Sequence, residues 1–200
     1  MGRPKINDET VRERLVVSAT ELFATRPLGS ITVRALAGAA GTATAAVYTL
    51  FGSKDALIAE VRGRAVAGLF HDLAAVPTSD DPLADLFALA VAYRRWGREH
   101  DNLYMALFGG VQTFDPSGAV GTEDPVRPLL HAIDRALTAA MLVGDATSIA
   151  VSLWVTLHGL VTLELSGALD TATAETAFHS AIPAALRGWA GPDHPRTTTA

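Results

Sequence analysis

Between Ile31 and Leu57 the chain reads ITVRALAGAAGTATAAVYTLFGSKDAL, and the groups in it suit contact with a polyanion. Tyr48 offers a hydroxyl and Lys54 a flexible cation, both fitted to phosphate oxygens. A second set of residues suits a small apolar or amphipathic molecule. Trp154 and His158 stand one helical turn apart on one face. Tyr93, Trp96, Tyr104, Met105 and Phe108 can add aromatic and thioether walls with a few polar tips. Aromatics at helical spacing equally build an ordinary core, and His158 suits a buried hydrogen bond better than a metal. Covalent and metal chemistry find little support. The chain has no cysteine. No glycine-rich phosphate loop, nucleophile elbow or metal signature occurs. His158 and Glu164, six residues apart on a helix, lie on different faces and cannot act as an acid/base pair. His71, His100, His131, His179 and His194 show no ligand spacing. The reading is a non-enzyme without cofactor or metal.

The elements that must carry these residues are helices. Val11, Leu15, Ala19, Leu22 and Phe23 recur at steps of four and three, so the spacing predicts a helix over 8–26, with Asn7 or Asp8 as its cap and Pro27 and Gly29 at its end. Thr32 caps a short helix to about Ala39, which Gly41 closes. A second short helix covers 43–49. Ser53 caps a long one reaching Val76, with Leu57, Val61, Ala65 and Leu69 buried. Further helices are expected at 82–99, 102–110, 124–143, 145–167 and 172–189, with Asp101, Asp145 and Thr171 as caps. Residues 111–123 read as a loop and the chain from Gly191 as a frayed tail. No strand series and no fixed-period repeat is present, so the fold class is all-α.

Two short helices joined by a glycine turn can hold the second one in a DNA major groove. The same spacing fits a plain helical hairpin. Charge bears on the choice. Through residue 64 there are nine Lys/Arg against six Asp/Glu, and seven against fifteen after it, within a net charge of -5. A basic head on an acidic body is the pattern of a chain whose head alone meets phosphate. Hydrophobic residues at 49% and charged ones at 18% describe a folded protein with a sizeable core. Ala146–Leu163 holds no formal charge and approaches the length of a membrane span, but it carries Thr147, Ser148, Ser152, Thr156, His158 and Thr162 and lacks a basic anchor. A buried bundle helix is expected, with no membrane partner. The start, MGRPKINDET, has no apolar signal-peptide core, so a cytoplasmic protein is expected.

The stretch resembles the TetR family signature, T-x-x-x-[LI]-A-x-x-A-G, then a recognition helix with Tyr, then F-x-S-K-x-x-L. Thr32, Leu36, Ala37, Ala40, Gly41, Tyr48, Phe51, Ser53, Lys54 and Leu57 match it in register, and the likeness spans about residues 10–62. It implies a three-helix helix-turn-helix DNA-binding domain followed by a larger helical-bundle ligand-binding and dimerisation domain. The expected divisions are 1–52, a connecting helix over 53–76, and 77–200. By this likeness the DNA contacts fall on Thr32, Arg34, Thr44, Tyr48, Thr49 and Lys54. Arg34 approaches a base or a phosphate, and Tyr48 and Lys54 clamp phosphates. Gly2-Arg3-Pro4-Lys5 resembles an AT-hook core, which would lay Arg3 and Lys5 in a minor groove.

The chain also departs from the pattern. Where relatives carry a serine cap, then lysine and glycine, it has Ala43, Thr44 and Ala45. A lost cap costs about 1 kcal/mol unless Thr42 or Thr44 replaces it. Thr49 and Leu50 replace a basic or histidine pair, so long polar readers are scarce and methyl groups of Thr44, Ala45 and Ala46 are left to meet thymine.

Residues 82–190 resemble a TetR subfamily named for Trp-His-Gly, through Tyr93-Arg94-Arg95-Trp96, His100, Tyr104, Trp154, His158, Gly159 and Leu163-Glu164. In the 145–167 helix, Ser148, Ser152, Thr156 and Gly159 form a stripe of small side chains that a partner helix can approach, either from a second copy or within one subunit. The resemblance implies the first, a homodimer on a palindromic double-stranded operator. The function expected is a transcriptional regulator, a repressor released by a small effector. The competing reading is a helical small-molecule-binding or scaffold protein without sequence-specific DNA binding.

Overall fold

A computed structural model describes residues 5–108 and 126–192. Among these residues the regular elements are helical: α1 Lys5–Thr25, α2 Val33–Ala39, α3 Thr44–Phe51, α4 Lys54–Ala74, α5 Pro82–Glu99, α6 Asp101–Phe108, α7 Val126–Thr138, α8 Ala146–Leu165 and α9 Thr171–Gly188, with a 3₁₀ turn at Leu28–Ser30. The all-α expectation holds. The chain divides into two compact units, one of Met1–Val66 with His100–Gln112 and one of Ala67–Glu99 with Thr113–Ala200. Helix α6, placed by the sequence reading in the C-terminal part, belongs to the first unit.

In the first unit Leu15, Val16, Ala19 and Phe23 form the buried face of α1, joined in the core by Ile31, Leu36, Ala37, Ala40, Val47, Leu57 and Val61. Helix α1 packs on α2, α3 and α6. It starts earlier than expected, at Lys5, so Asn7 and Asp8 lie inside it and do not cap it. Local chemistry accounts for the next two helices. Thr32 takes an extended conformation (φ −102°, ψ 156°), and its hydroxyl oxygen accepts the Ala35 N–H at 3.2 Å. At the other end Gly41 has φ +61°. The N–H of Thr42 reaches the Ala37 carbonyl at 2.9 Å and that of Gly41 the Gly38 carbonyl at 3.2 Å. This is a Schellman closure, which needs the left-handed residue that glycine supplies without strain. Gly52 (φ +79°) ends α3, again with a positive φ. Ser53 Oγ then accepts the Ala56 N–H at 3.1 Å and starts α4.

Ion pairs tie α1 to α4. Arg12 grips Glu60 with two nitrogens, and Arg64 grips Glu13 at 2.7 and 2.6 Å. The Arg64 guanidinium holds the Glu13 carboxyl below the ordinary glutamate range.

The second unit packs α8 on α9, α7 and α5, and α5 on α7 and α9. Leu86, Leu89, Tyr93, Trp96, Ile133, Ile149, Leu153, Val161, Phe178 and Ile182 are buried in it. The core also encloses a charge. Arg94 donates from Nε and Nη2 to Glu164 at 2.8 and 2.9 Å and from Nη1 to Glu175 at 2.6 Å. Its guanidinium lies 4.9 Å from the Phe178 ring centroid. Helix α8 is long and apolar enough to cross a membrane by length and composition, with mean hydropathy 1.5. It nonetheless packs on three neighbours and places Glu164 in that ion pair.

Three further boundaries differ from expectation. The cap of α9 is Asp170, not Thr171, and its carboxylate accepts the Thr173 N–H at 2.9 Å. Asp101 is the first residue of α6 itself, its carboxylate accepting the Asn102 N–H at 2.6 Å. Helix α7 stops at Thr138, short of 143, because Ala140 turns left-handed at φ 55°. There Met141 N–H meets the Ala136 carbonyl and Ala140 N–H that of Leu137, a Schellman closure without glycine. The expected loop at 111–123 lies outside the described residues.

Candidate nucleic-acid interface and sensor residues

Helix α3 presents one strip outward. Val47 is fully buried, which anchors the helix with about 1.5–3 kcal/mol of side-chain burial. Leu50 and Phe51 are half-buried, while Thr44, Ala45, Tyr48 and Thr49 are exposed, Tyr48 to 55%. At spacings of one, four and five these four share a face. Ala43 occupies the N-cap position and no side chain caps the helix, so neither Thr42 nor Thr44 replaces the missing serine. Thr49 donates its hydroxyl proton to the Ala45 carbonyl at 2.9 Å. Arg34, on α2, is exposed, and Lys54, at the start of α4, is half-buried. Thr32 is exposed, but its oxygen already serves as the α2 cap. Arg3 lies outside the described residues, and Lys5 is placed only as the first residue of α1.

One positioning group was not read from the sequence. The Arg12 guanidinium sits 4.8 Å from the Phe51 ring centroid while it holds Glu60. It thereby links the last residue of α3 to α4. The partners are distant along the chain, Glu60 by 48 residues, so no local pattern announces the contact.

The sensor residues divide between the units. Tyr93 and Trp96 on α5 are buried, and Trp154 and His158 on α8 are half-buried. All four belong to the second unit. Tyr93 Oη lies 3.3 Å from His158 Nδ1, and the Trp154 and His158 rings stack at 5.0 Å and 14°. Burial pushes the His158 imidazole below its ordinary value, favouring the neutral ring. Tyr104, Met105 and Phe108 lie on α6 in the first unit. Tyr104 is fully buried with its ring 4.7 Å from that of Phe108, and Met105 is exposed. A cleft of about 560 Å³ in the second unit is bounded by Phe70, Leu73, Leu89, Arg127, His131 and Arg135, and none of the seven named residues lines it.

The small-residue stripe on α8 is partly occupied within the subunit. Ser152 Oγ accepts the indole N–H of Trp189 at 2.9 Å and donates to the Ile149 carbonyl. Thr156 donates to the Ser152 carbonyl at 2.8 Å. Ser148 is exposed, and Gly159 is half-buried with open space where a Cβ would stand. The uncovered apolar side chains of this helix are Val155 and Leu163, 56% and 46% exposed; the sequence reading named Leu163 only in the Leu163-Glu164 match and Val155 not at all.

A helix–glycine turn–helix head with an exposed second helix, followed by a helical second unit, is the architecture expected of a DNA-binding regulator. Comparison with known proteins agrees. Residues 15–61 match the family described as bacterial regulatory proteins, tetR family, and residues 86–185 match the tetracyclin repressor-like C-terminal domain. The chain is 28% identical over 172 residues to an HTH-type transcriptional regulator of Mycobacterium tuberculosis, covering 84% of this chain and 76% of that one. Its fold is similar to a protein of unknown function from Rhodococcus sp. RHA1, with TM-score 0.72, 24% identity, and coverage of 90% of this chain and 95% of that one. It is similar also to the TetR family transcriptional regulator PfmR from Thermus thermophilus, with TM-score 0.63, 21% identity and coverage of 90% and 100%. The chain belongs to the TetR family and is a transcription regulator.

Proposed function

We propose that the protein acts in the cytoplasm as a homodimeric repressor, gripping a palindromic operator through α3 of each copy and releasing it when a small apolar or amphipathic effector binds. The observation that carries the reading is the exposed strip Thr44, Ala45, Tyr48 and Thr49, held between turns at Gly41 and Gly52. Tyr48 and Lys54 serve as phosphate clamps, Arg34 as the long polar reader, and Thr32 as the cap that aims α2. Arg3 and Lys5 extend the grip into a minor groove. A single α3 reads few bases, and two copies one DNA turn apart (~34 Å) read a palindrome. A second copy docks on α8, where Ser148, Val155 and Thr162 recur every seven residues. One feature of that strip favours a partner: Val155 is uncovered. The effector is sensed at Tyr93, Trp96, Trp154 and His158, and Tyr104, Met105 and Phe108 on α6 respond to it. The Trp154, His158 and Gly159 trio supports placement in the Trp-His-Gly subfamily. An effector releases DNA only by its differential affinity for the two states.

A salt titration on duplex DNA tests the first step. Wild type is expected to show a steep negative slope of log affinity against log salt. Tyr48→Ala with Lys54→Ala weakens all duplexes about equally, with a slope shallower by about 1 for each lost phosphate cation, whereas Arg34→Ala relaxes choice at one base pair by ~1–3 kcal/mol. A double variant binding as tightly as wild type would remove the clamp assignment.

A further inference from the structure

Resting on the DNA-binding reading above, we infer that α3 reads thymine through its C5 methyl group, leaving guanine recognition to Arg34 on α2. The exposed side chains of α3 are Thr44, Ala45, Tyr48 and Thr49. None is an amide, guanidinium, carboxylate or imidazole. Bidentate recognition of guanine needs arginine or lysine, and that of adenine needs asparagine or glutamine. The exposed face of α3 has no such fork.

Its hydrogen-bonding capacity is smaller still than the residue types suggest. Thr49 has one hydroxyl proton, and it goes to the Ala45 carbonyl at 2.9 Å. Thr49 therefore meets a base with its γ-methyl and its acceptor lone pairs. Ala45 offers only Cβ, and Thr44 a methyl beside its hydroxyl. Tyr48 is assigned to phosphate.

What Thr44, Ala45 and Thr49 present together is a methyl surface. In the major groove only thymine answers it, since the C5 methyl is the sole apolar group on the natural base edges there. The contact recognises the methyl and not the base pair, so cytosine methylated at C5 satisfies the same surface.

The test uses the intact protein. A duplex is first selected from a random library by repeated binding, and each thymine of the half-site is then replaced by deoxyuridine, which removes the methyl and keeps the pairing. Loss of one buried methyl is expected to weaken binding by about fourfold, at two or more thymines in each half-site. A C·G pair placed there loses more, and 5-methylcytosine in the same pair regains about the fourfold. Thr44→Ser and Thr49→Ser keep the hydroxyl and drop the methyl. Each is expected to abolish the deoxyuridine effect at one position while leaving affinity for the substituted duplex at the wild-type level.

Deoxyuridine without effect at every thymine overturns the methyl reading and leaves DNA binding intact. Selected half-sites that lack thymine overturn it equally. Failure to retain any duplex at low salt overturns the DNA-binding reading itself, and this inference with it.

Discussion

Arg94 is a cation inside a core, with 8% of its side chain exposed, and its two carboxylate partners differ sharply. Glu164 is 9% exposed and receives two nitrogens, whereas Glu175 is 51% exposed and receives one. Removing the arginine would leave the Glu164 charge in a poorly solvated site with only the more distant, half-exposed Arg98 beside it, at 3.6 Å. Breaking a buried pair in this way costs about 3–5 kcal/mol. Arg94→Met is therefore expected to lower the urea midpoint strongly at unchanged slope. Glu175→Gln, at the wet end of the cluster, is expected to change stability by no more than about 1 kcal/mol. Replacing Arg94 and Glu164 together with apolar residues should recover much of the loss, because the pair's attraction is offset by the water both ions surrendered. Equal losses for the two single variants would show that Glu164 is solvated in the native state. The sequence did not disclose this pairing: Arg94 and Glu164 were each visible, in the Tyr-Arg-Arg-Trp run and the Leu163-Glu164 match, but the two acids lie 70 and 81 residues from the arginine. Pairings of that range follow from topology, which no local period encodes.

At the scale of the element, helix α3, proposed to read DNA, has a weakly made start. Ala43 sits at its N-cap in extended conformation (φ −85°, ψ 151°) with no side chain to accept an orphan N–H. Ala43→Ser keeps that backbone and supplies the acceptor, so it is expected to stabilise the protein by about 0.5–2 kcal/mol in thermal melts. Gly41→Ala, by contrast, meets no steric neighbour yet must hold φ +61°, and is expected to cost about 1–2 kcal/mol. If Ala43→Ser gains nothing, the first turn of α3 has its N–H groups satisfied another way. The elements that sequence reading located well are those with such local chemistry. Thr32, Gly41, Ser53 and Asp145 each perform the role their residue type announces. The misreadings have equally local causes. Asp170 and Thr171 are adjacent oxygen-bearing candidates, and only the backbone (φ −69°, ψ 161° at Asp170) decides between them. Ala140 adopts a left-handed turn that its side chain does not advertise, which hid the end of α7. The strip of α3 was legible because burial of Val47 and exposure of its neighbours follow from helical period. The engagement of Ser152 by Trp189 was not, because 37 residues separate them.

For the whole molecule the decisive quantity is how many heads reach DNA at once. Two heads on one dimer make the second contact intramolecular, which raises apparent affinity by about 10²–10⁴ without any new contact. That gain depends on the surface proposed to join the copies. Val155 and Leu163 leave 56% and 46% of themselves uncovered on α8, so a charge placed there burdens the single chain little. In a dimer closed on this face, each lysine would be buried in both copies without a partner, at a cost of several kcal/mol per ion. Val155→Lys with Leu163→Lys is therefore expected to yield a folded monomer by light scattering and circular dichroism. Its affinity for a palindromic duplex should fall by about 10²–10⁴, while its affinity for one half-site stays at the wild-type level. The log–log salt slope on the palindrome should fall by about half, since one head neutralises half as many phosphates as two. This pattern separates loss of pairing from loss of reading, because damage to α3 would lower half-site affinity as well. A double-lysine variant that remained dimeric would place the joining surface elsewhere on the chain. The half-site contacts argued for Arg34, Tyr48 and Lys54 would be untouched by that result.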